Sequence, residues 1–158
     1  MEKSIITPTQ VVQIAFSDGC YIDPATIAEA DIIVATERWI TPVVGQPLLD
    51  AVAAGRYAEF RDDYLLPAIA LYTRQLVQPR MNASTGQLGL TVASSSTQRA
   101  ADEALRRELQ QAVKERARAA LKRLSAYIDA HAAEIAEYDE KSNVLKRCCC
   151  DGGFVQIL

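Results

Sequence analysis

The sequence predicts an all-α domain of about five helices, the last one long, with a protruding loop or small β-hairpin ahead of it. Three observations predict it. Residues 97–141 contain neither glycine nor proline and are dominated by alanine, leucine, glutamate and arginine, which have high helix propensity. Apolar residues elsewhere recur at the three- and four-residue spacing of a helix with one buried face. Two helix-start signals stand early in the chain, Thr7 with Pro8 and Gln10, and Asp23 with Pro24.

Thr7 reads as an N-cap, Pro8 as a first-turn proline and Gln10 as a capping-box partner, so a short helix runs to about Phe16. Ser17, Asp18 and Gly19 break it. The signal at Asp23 opens a second helix carrying Ile27, Ala28, Asp31, Ile32, Val34, Ala35, Arg38 and Trp39. It is expected to stop near Thr41, because Pro42 disfavours helical geometry in the residue before it and Gly45 supplies a left-handed turn. A short helix around residues 48–54, ended by Gly55, comes next.

From Arg56 onward, Tyr57, Phe60, Tyr64, Ala68, Leu71 and Leu76 mark the apolar face of a longer helix, with Asp62, Asp63 and Arg74 off it. Pro67 inside that pattern predicts a kink near Asp63 or two helices meeting there, and Pro79 is the expected end. Trp39 and Tyr64 fall on the apolar stripes and are expected in the core. Between this helix and the last lies a polar insert, residues 82–96, in which Gln87 to Val92 carry the β-propensity of a small hairpin. The final helix has the stripe Ala101, Leu105, Leu109, Ala112, Val113, Ala117, Ala120, Leu121, Leu124, Ile128, Ile135 and Tyr138. Beyond Lys141 the pattern turns irregular. The expected organisation is a helical domain over residues 1–141 and a C-terminal arm over residues 142–158.

The formal charge of -3 and the pI near 5.2 argue against a sequence-independent polyanion binder. No apolar run reaches the ~18 residues of a membrane span, and the first residues lack the build of a signal peptide, so a cytoplasmic protein with no membrane contact is expected. Cys148, Cys149 and Cys150 are consecutive, which suits neither a disulfide framework nor a zinc site, and Cys20 adds no ligand spacing. Reduced thiols, no metal and no cofactor are expected. His131 is the only histidine, flanked by alanine, and Asp62 and Asp63 point about a hundred degrees apart on a helix, poor geometry for a shared proton or metal. No phosphate-cradling glycine pattern or nucleophile elbow occurs. No catalytic residues are therefore nominated.

What the chain offers instead is surface. A long polar loop on a helical scaffold is usually there to touch something, which nominates Gly86, Gln87, Leu88, Gly89 and Leu90 as interface residues. Phe154, Val155, Ile157 and Leu158, behind the hinge of Gly152 and Gly153, form an apolar end expected to dock on a partner chain as an extended arm. Lys114, Arg116, Arg118, Lys122 and Arg123 make a basic stretch, followed by an acidic one of Asp129, Glu134, Glu137, Asp139 and Glu140. The functional reading is electrostatic docking, of the acidic end on the basic middle of another subunit or of the basic side on a DNA backbone.

The order of these parts resembles a known family. The run DIIVATERWITPVVG at residues 31–45, then YAEFRDDYLLPAIALY at residues 57–72, a Gly/Ser/Thr loop, and a long alanine-rich helix ending in an acidic YDE resemble the small all-helical head-tail connector proteins of tailed bacteriophages and prophages, particularly those of Bacteroides-type hosts. The likeness covers about residues 5–141. It implies a structural virion protein that joins the portal at the DNA exit of the capsid as a homo-oligomeric ring of twelve copies. The ring would offer a docking surface to stopper or tail-completion proteins and let double-stranded DNA pass without sequence readout. It also implies assembly in the host cytoplasm and residence at the head-tail junction of the virion. The alternative from another class is a small helical DNA-binding packaging or regulatory protein, whose basic helix would contact DNA directly.

Overall fold

Two prolines of this chain, Pro42 and Pro67, each follow a π turn within a helix and are accommodated in the same way. The computed structural model describes residues 4–17, 22–81, 84–86, 89–91, 102–147, 149–151 and 154–156. Helix α1 (Pro8–Ala15) opens on the expected capping box, with the Gln10 N–H donating to Thr7 Oγ1 at 3.3 Å and the Thr7 N–H to Gln10 Oε1 at 3.0 Å. Asp23 caps only a single 3-10 turn, Pro24–Thr26, through the Ala25 N–H at 2.9 Å. Helix α2 starts at Glu29 instead, where Asp31 reaches back to the Ala28 N–H at 3.2 Å.

Helix α2 comprises Glu29–Ala35, a π turn at Thr36–Ile40 and a last turn at Thr41–Val44. The expected stop at Thr41 is thus overrun. Widening to a π turn moves the Thr41 N–H onto the Thr36 carbonyl, so the donor that Pro42 lacks is missed less and its ring has room. The chain stops at Gly45, whose φ of 84° ends α2 and leads into α3 (Gln46–Ala53), as the sequence suggests. Helix α4 repeats the device: Ala58–Phe60, a π turn at Arg61–Leu65, then Leu66–Met81. The Leu66 N–H bonds the Arg61 carbonyl and Pro67 follows, so the expected kink takes the form of a π turn in one continuous helix. In both helices the proline stands two residues after the π turn.

Pro79 lies inside α4, which continues two residues past its expected end. The helix is also buried on more than the one face its pattern suggests: Leu65, Leu66, Ala68, Ile69, Ala70, Leu71, Tyr72, Thr73, Arg74 and Val77 are all buried. It is the centre of the fold, packed by α1, α2 and α5 (Glu103–Ala130). Arg74, read from the sequence as off the apolar face, is 5 % exposed, donates to the Ala15 carbonyl at 2.5 Å and lies over the Phe16 ring at 4.8 Å. A cation at the carbonyl end of α1 is favoured by the helix dipole as well as by the hydrogen bond.

Helix α5 begins at Asp102, whose side chain accepts from the Leu105 N–H, and buries Val113, Ala117, Leu121, Leu124, Ser125 and Ile128 against the core. Its first turns carry less of the expected stripe: Leu105 is 56 % exposed, and Ala112 is also exposed. The helix ends at Ala130, short of the predicted Lys141, and Ile135 and Tyr138 reach the core from the irregular chain that follows. On α2, Val34 is 45 % exposed and not on the buried face.

Two antiparallel strand pairs complete the description. β1 (Ser84–Gly86) pairs with β2 (Gly89–Thr91), with Ser84 opposite Thr91 and Gly86 opposite Gly89, so the hairpin expected in the insert forms around residues 87–88. β3 (Cys149–Asp151) pairs with β4 (Phe154–Gln156), Cys150 opposite Val155. Of the C-terminal segment expected to dock as an extended arm, Phe154 and Val155 thus lie on a strand paired with Cys149–Asp151, and Gly152, Gly153, Ile157 and Leu158 lie outside the described residues.

Trp39 and Tyr64, expected in the core, pack against it and are half-buried at its edge. Trp39 stacks on the buried Tyr72 at 4.9 Å, and Arg38 covers its ring at 4.8 Å. Phe60, by contrast, is 2 % exposed. Phe60→Ala is expected to cost about 4 kcal/mol and Trp39→Ala about 2 kcal/mol in urea unfolding, since only the first empties a closed site. Equal losses would contradict this placement.

Candidate functional site

The chain's surface features gather in three places, each set by how α4 and α5 pack. At the first, Gln110 Nε2 donates to the Gln75 carbonyl at 2.9 Å, joining the end of α4 to the start of α5. The insert springs from this end. An open groove of about 460 Å³ lies here, lined by Gln78, Pro79, Glu103, Arg106, Arg107 and Gln110, with exposed Leu105 on the same turn. Among the described residues the β1 and β2 strands contact chiefly each other. Of the nominated interface residues, Gly86, Gly89 and Leu90 lie on these strands, whereas Gln87 and Leu88 lie outside the described residues. Phe154 and Val155 lie on β4, and Ile157 and Leu158 outside the described residues.

The basic stretch of α5 does not form one face. At 100° per residue, Lys114, Arg118 and Lys122 follow one flank of the buried stripe, and Arg116 and Arg123 the opposite flank. Arg123 covers the Tyr64 ring at 4.7 Å. Arg118 lies on the side of Tyr72, whose phenol is pushed up by burial and drawn back by that guanidinium.

The acidic stretch is largely engaged within the molecule. Glu137 accepts from Tyr57 at 2.8 Å and pairs with Arg56, and Tyr57, left-handed at φ 56°, is thereby held as the lead-in to α4. The Tyr57 hydrogen bond, with Arg56 behind it, holds the Glu137 carboxyl below the usual glutamate range. Asp129 accepts from the Tyr138 hydroxyl at 2.6 Å and pairs with Lys146 at 3.0 Å, and Glu140 holds Lys146 at 2.7 Å. Those two partners, Glu140 foremost, push the Lys146 ammonium up. Asn143, fully buried, donates to Ser125 Oγ and to the Tyr138 hydroxyl, both at 2.9 Å, and accepts from the Leu145 N–H. These contacts fasten residues 138–147 to α5, so the packed body extends past Lys141 to Arg147. Sequence reasoning missed this lock, since Asn143 has no signal beyond its cap of the turn Val144–Lys146.

Among the described residues, the groups weighed for chemistry in the sequence stand apart from one another. The His131 ring stacks on Tyr127 at 4.2 Å with Nδ1 2.9 Å from the Tyr127 carbonyl oxygen, and among the described residues no carboxylate hydrogen-bonds to it. Asp62 pairs with Arg61 at 2.7 Å and not with Asp63. Among the described residues no cluster of three or more histidine, cysteine, aspartate or glutamate side chains is placed to hold a metal. A cleft of about 230 Å³ between the N-terminal segment, α2 and α3 has an apolar floor of Ile5, Ile33, Leu49 and Ala53 with Glu37 and Asp50 among its lining residues. Among the described residues no helix is long and apolar enough to cross a membrane.

The fold and its surfaces define a helical scaffold bearing a hairpin and segregated charge. Residues 40–147 match the family of unknown function DUF6712, and the chain belongs to that family. The matched segment ends where the Asn143 lock ends. Neither the curated proteins nor the solved structures contain a match to the chain.

The lock makes two measurable statements. Tyr138, buried and donating to Asp129, is pushed up to about 12 from the usual 10.0. A raised value means its stabilising contribution is complete below pH 10 and lost as pH rises through about 12. Absorbance at the phenolate band should show a late-titrating component, to which Tyr72 and Tyr127 also contribute, that loses one tyrosine's amplitude near pH 12 in Tyr138→Phe. Glu137 has the opposite sign: its contribution is present above the usual glutamate range and lost as pH falls through its lowered value. Acid unfolding of Glu137→Gln should be flatter than wild type over that window, and identical profiles would show that the Tyr57 contact carries no stability.

Proposed function

We propose that the chain is a structural virion protein of the head-tail connector class, assembling as a ring of twelve copies on the portal and offering the next surface to stopper or tail-completion proteins. It acts by contact and carries no active site. Double-stranded DNA passes through the ring without sequence readout, and the protein assembles in the host cytoplasm before residing at the head-tail junction. The observation that carries this reading is the β1–β2 hairpin set between the two most closely packed helices, α4 and α5, with its strands paired mainly to each other. A hairpin of that kind adds little to the core and is suited to reach a neighbour.

The split of the basic residues across two flanks of α5 counts against the alternative of a helix that reads DNA directly, because a groove-binding helix presents its cations and base-reading residues on one exposed side.

The test mixes the full chain with a portal protein from the genome that carries it, and images the mixture by negative-stain electron microscopy. Rings capping the portal are expected; a chain that neither assembles nor binds portal, yet shifts duplex DNA as a monomer in a salt-dependent way, would replace this reading by the DNA-binding one. Replacing residues 86–92 by a short Gly-Ser linker should leave the helical circular dichroism and Tm nearly unchanged while ring formation fails. A collapse of the fold would show instead that the hairpin belongs to the core.

A further inference from the structure

Folding divides the acidic stretch that the sequence nominates: Glu134 and Asp139 make no salt bridge with any described residue, whereas the other three are engaged. Asp129, Glu137 and Glu140 are tied to Lys146, Arg56 and the tyrosines. Glu59 and Asp63 on the first turns of α4, and Glu134 in the turn after α5, are exposed and make no salt bridge with any described residue. They surround a ladder of rings: Phe60 lies 5.8 Å from Tyr127, Tyr64 lies 4.2 Å from it, and His131 also 4.2 Å. Burial and then Glu59, with Glu134 and Asp63 adding to it, push the Tyr127 phenol up. Arg123 over Tyr64 borders this end, and Asp62 there is neutralised by Arg61.

The second unpartnered set is basic. Lys114, Arg118 and Lys122 stand about 6 Å apart along one flank of α5, at a rise of about 1.5 Å per residue. Arg38 on α2 covers the ring of Trp39, which stacks on Tyr72, and Arg118 acts electrostatically on that same tyrosine. No described carboxylate pairs with any of the four.

We propose that these faces are the two halves of one contact between copies of this chain, with Arg38, Lys114, Arg118 and Lys122 of one copy on Glu59, Asp63 and Glu134 of the next. The inference rests on the ring reading above and names its subunit contact. Two different patches on every copy make a heterologous interface, which closes into a ring when the rotation allows. A second copy fits better than a phosphate backbone because the chain carries the complementary charge itself and is acidic overall, with a pI near 5.2. Opposed charge of this kind sets register and partner choice and weakens with salt.

The experiment compares two triple variants of the full chain, K114E/R118E/K122E and E59K/D63K/E134K, by analytical ultracentrifugation at low and high salt. All six positions lie outside the buried core, so circular dichroism and Tm serve as the check that each variant is folded. Wild type is expected to assemble reversibly with salt. Each variant alone should associate at least ~100-fold more weakly, because like charges then face each other. Mixed one to one, the variants should recover assemblies of wild-type size, since every contact in an alternating ring is again complementary. Wild-type assembly left unchanged in both variants would overturn this contact and leave the ring reading standing. A wild type that stays monomeric at all concentrations and salts would overturn the contact, while rings formed only on the portal would still uphold the ring. Retention of a duplex DNA by wild type that K114E/R118E/K122E alone abolishes, without an effect on assembly, would assign the basic face to a phosphate backbone instead.

Discussion

The rest of this structure depends on keeping residues 58–81 helical through Pro67 while burying them on nearly every side. Pro67 brings no N–H and its ring crowds the preceding turn, a crowding this helix must absorb without breaking its line. The π turn at Arg61–Leu65 does this by shifting the hydrogen bond of the preceding turn one residue along. The shift also sets which side chains face α5. Tyr64, at the widened turn, meets Tyr127, while Phe60 and Leu65 enter the core. A straight α-helical register would rotate the two halves relative to each other and separate those contacts. The same device in α2 carries that helix across Pro42, so that Val43 and Val44 are buried and its last turn touches α5.

Enclosing α4 also decides the fate of its polar residues. Thr73 returns its hydroxyl to the Ile69 carbonyl at 2.8 Å, and Arg74 finds the open carbonyl end of α1. A buried guanidinium without such a partner would be strongly destabilising, so α1 and α4 are matched to one another in position as well as in apolar surface. Arg80 and Asp31 repeat this at the surface between α4 and α2, where the exposed pair contributes little energy but agrees with the same register.

Much of this was legible in the chain, in the places where chemistry is local. The Thr7–Gln10 box, the glycine at Gly45 and the long alanine-rich helix are written in neighbouring residues, and the fold class follows from them. The end of α5 is not local. Nothing between Thr97 and Lys141 breaks a helix, yet the chain leaves it at His131. Nine residues of continued helix would carry Tyr138 about 13 Å beyond Asp129 along the axis, whereas folding back lets its hydroxyl reach that carboxylate at 2.6 Å. The same fold-back brings Glu137 to Arg56 and Tyr57, and Asn143 to Ser125. Partners distant in sequence outweigh propensity here, and single-sequence periodicity has no access to them. Tyr57, held in a left-handed conformation without being glycine, is hidden for the same reason: its stabilising contact is 80 residues away. The candidate surfaces were only half legible. The hairpin could be read from the β-propensity of the insert, and the predicted stripe already parts the basic residues into two flanks, but which charges the fold consumes could not be read from it.

Charge that serves the fold and charge that is left over can be separated once the structure is known, and this bears on function more than the charge runs themselves. In the sequence the residues after Ile128 form a continuous acidic block beside a basic one, suggesting two docking surfaces end to end. Folding draws Asp129, Glu137 and Glu140 into the lock that holds the C-terminal part of the body on α5. Residues so engaged cannot also supply an interface without loosening the body that presents it. Glu59, Asp63 and Glu134 on one side, and Lys114, Arg118 and Lys122 on the other, carry no such duty. Exposed charges on a rigid helix that serve no contact within their own chain are inexpensive to keep and change little in stability when replaced. Their arrangement in two opposed groups, one around stacked rings and one along a single flank, is therefore best accounted for by what they meet outside the chain.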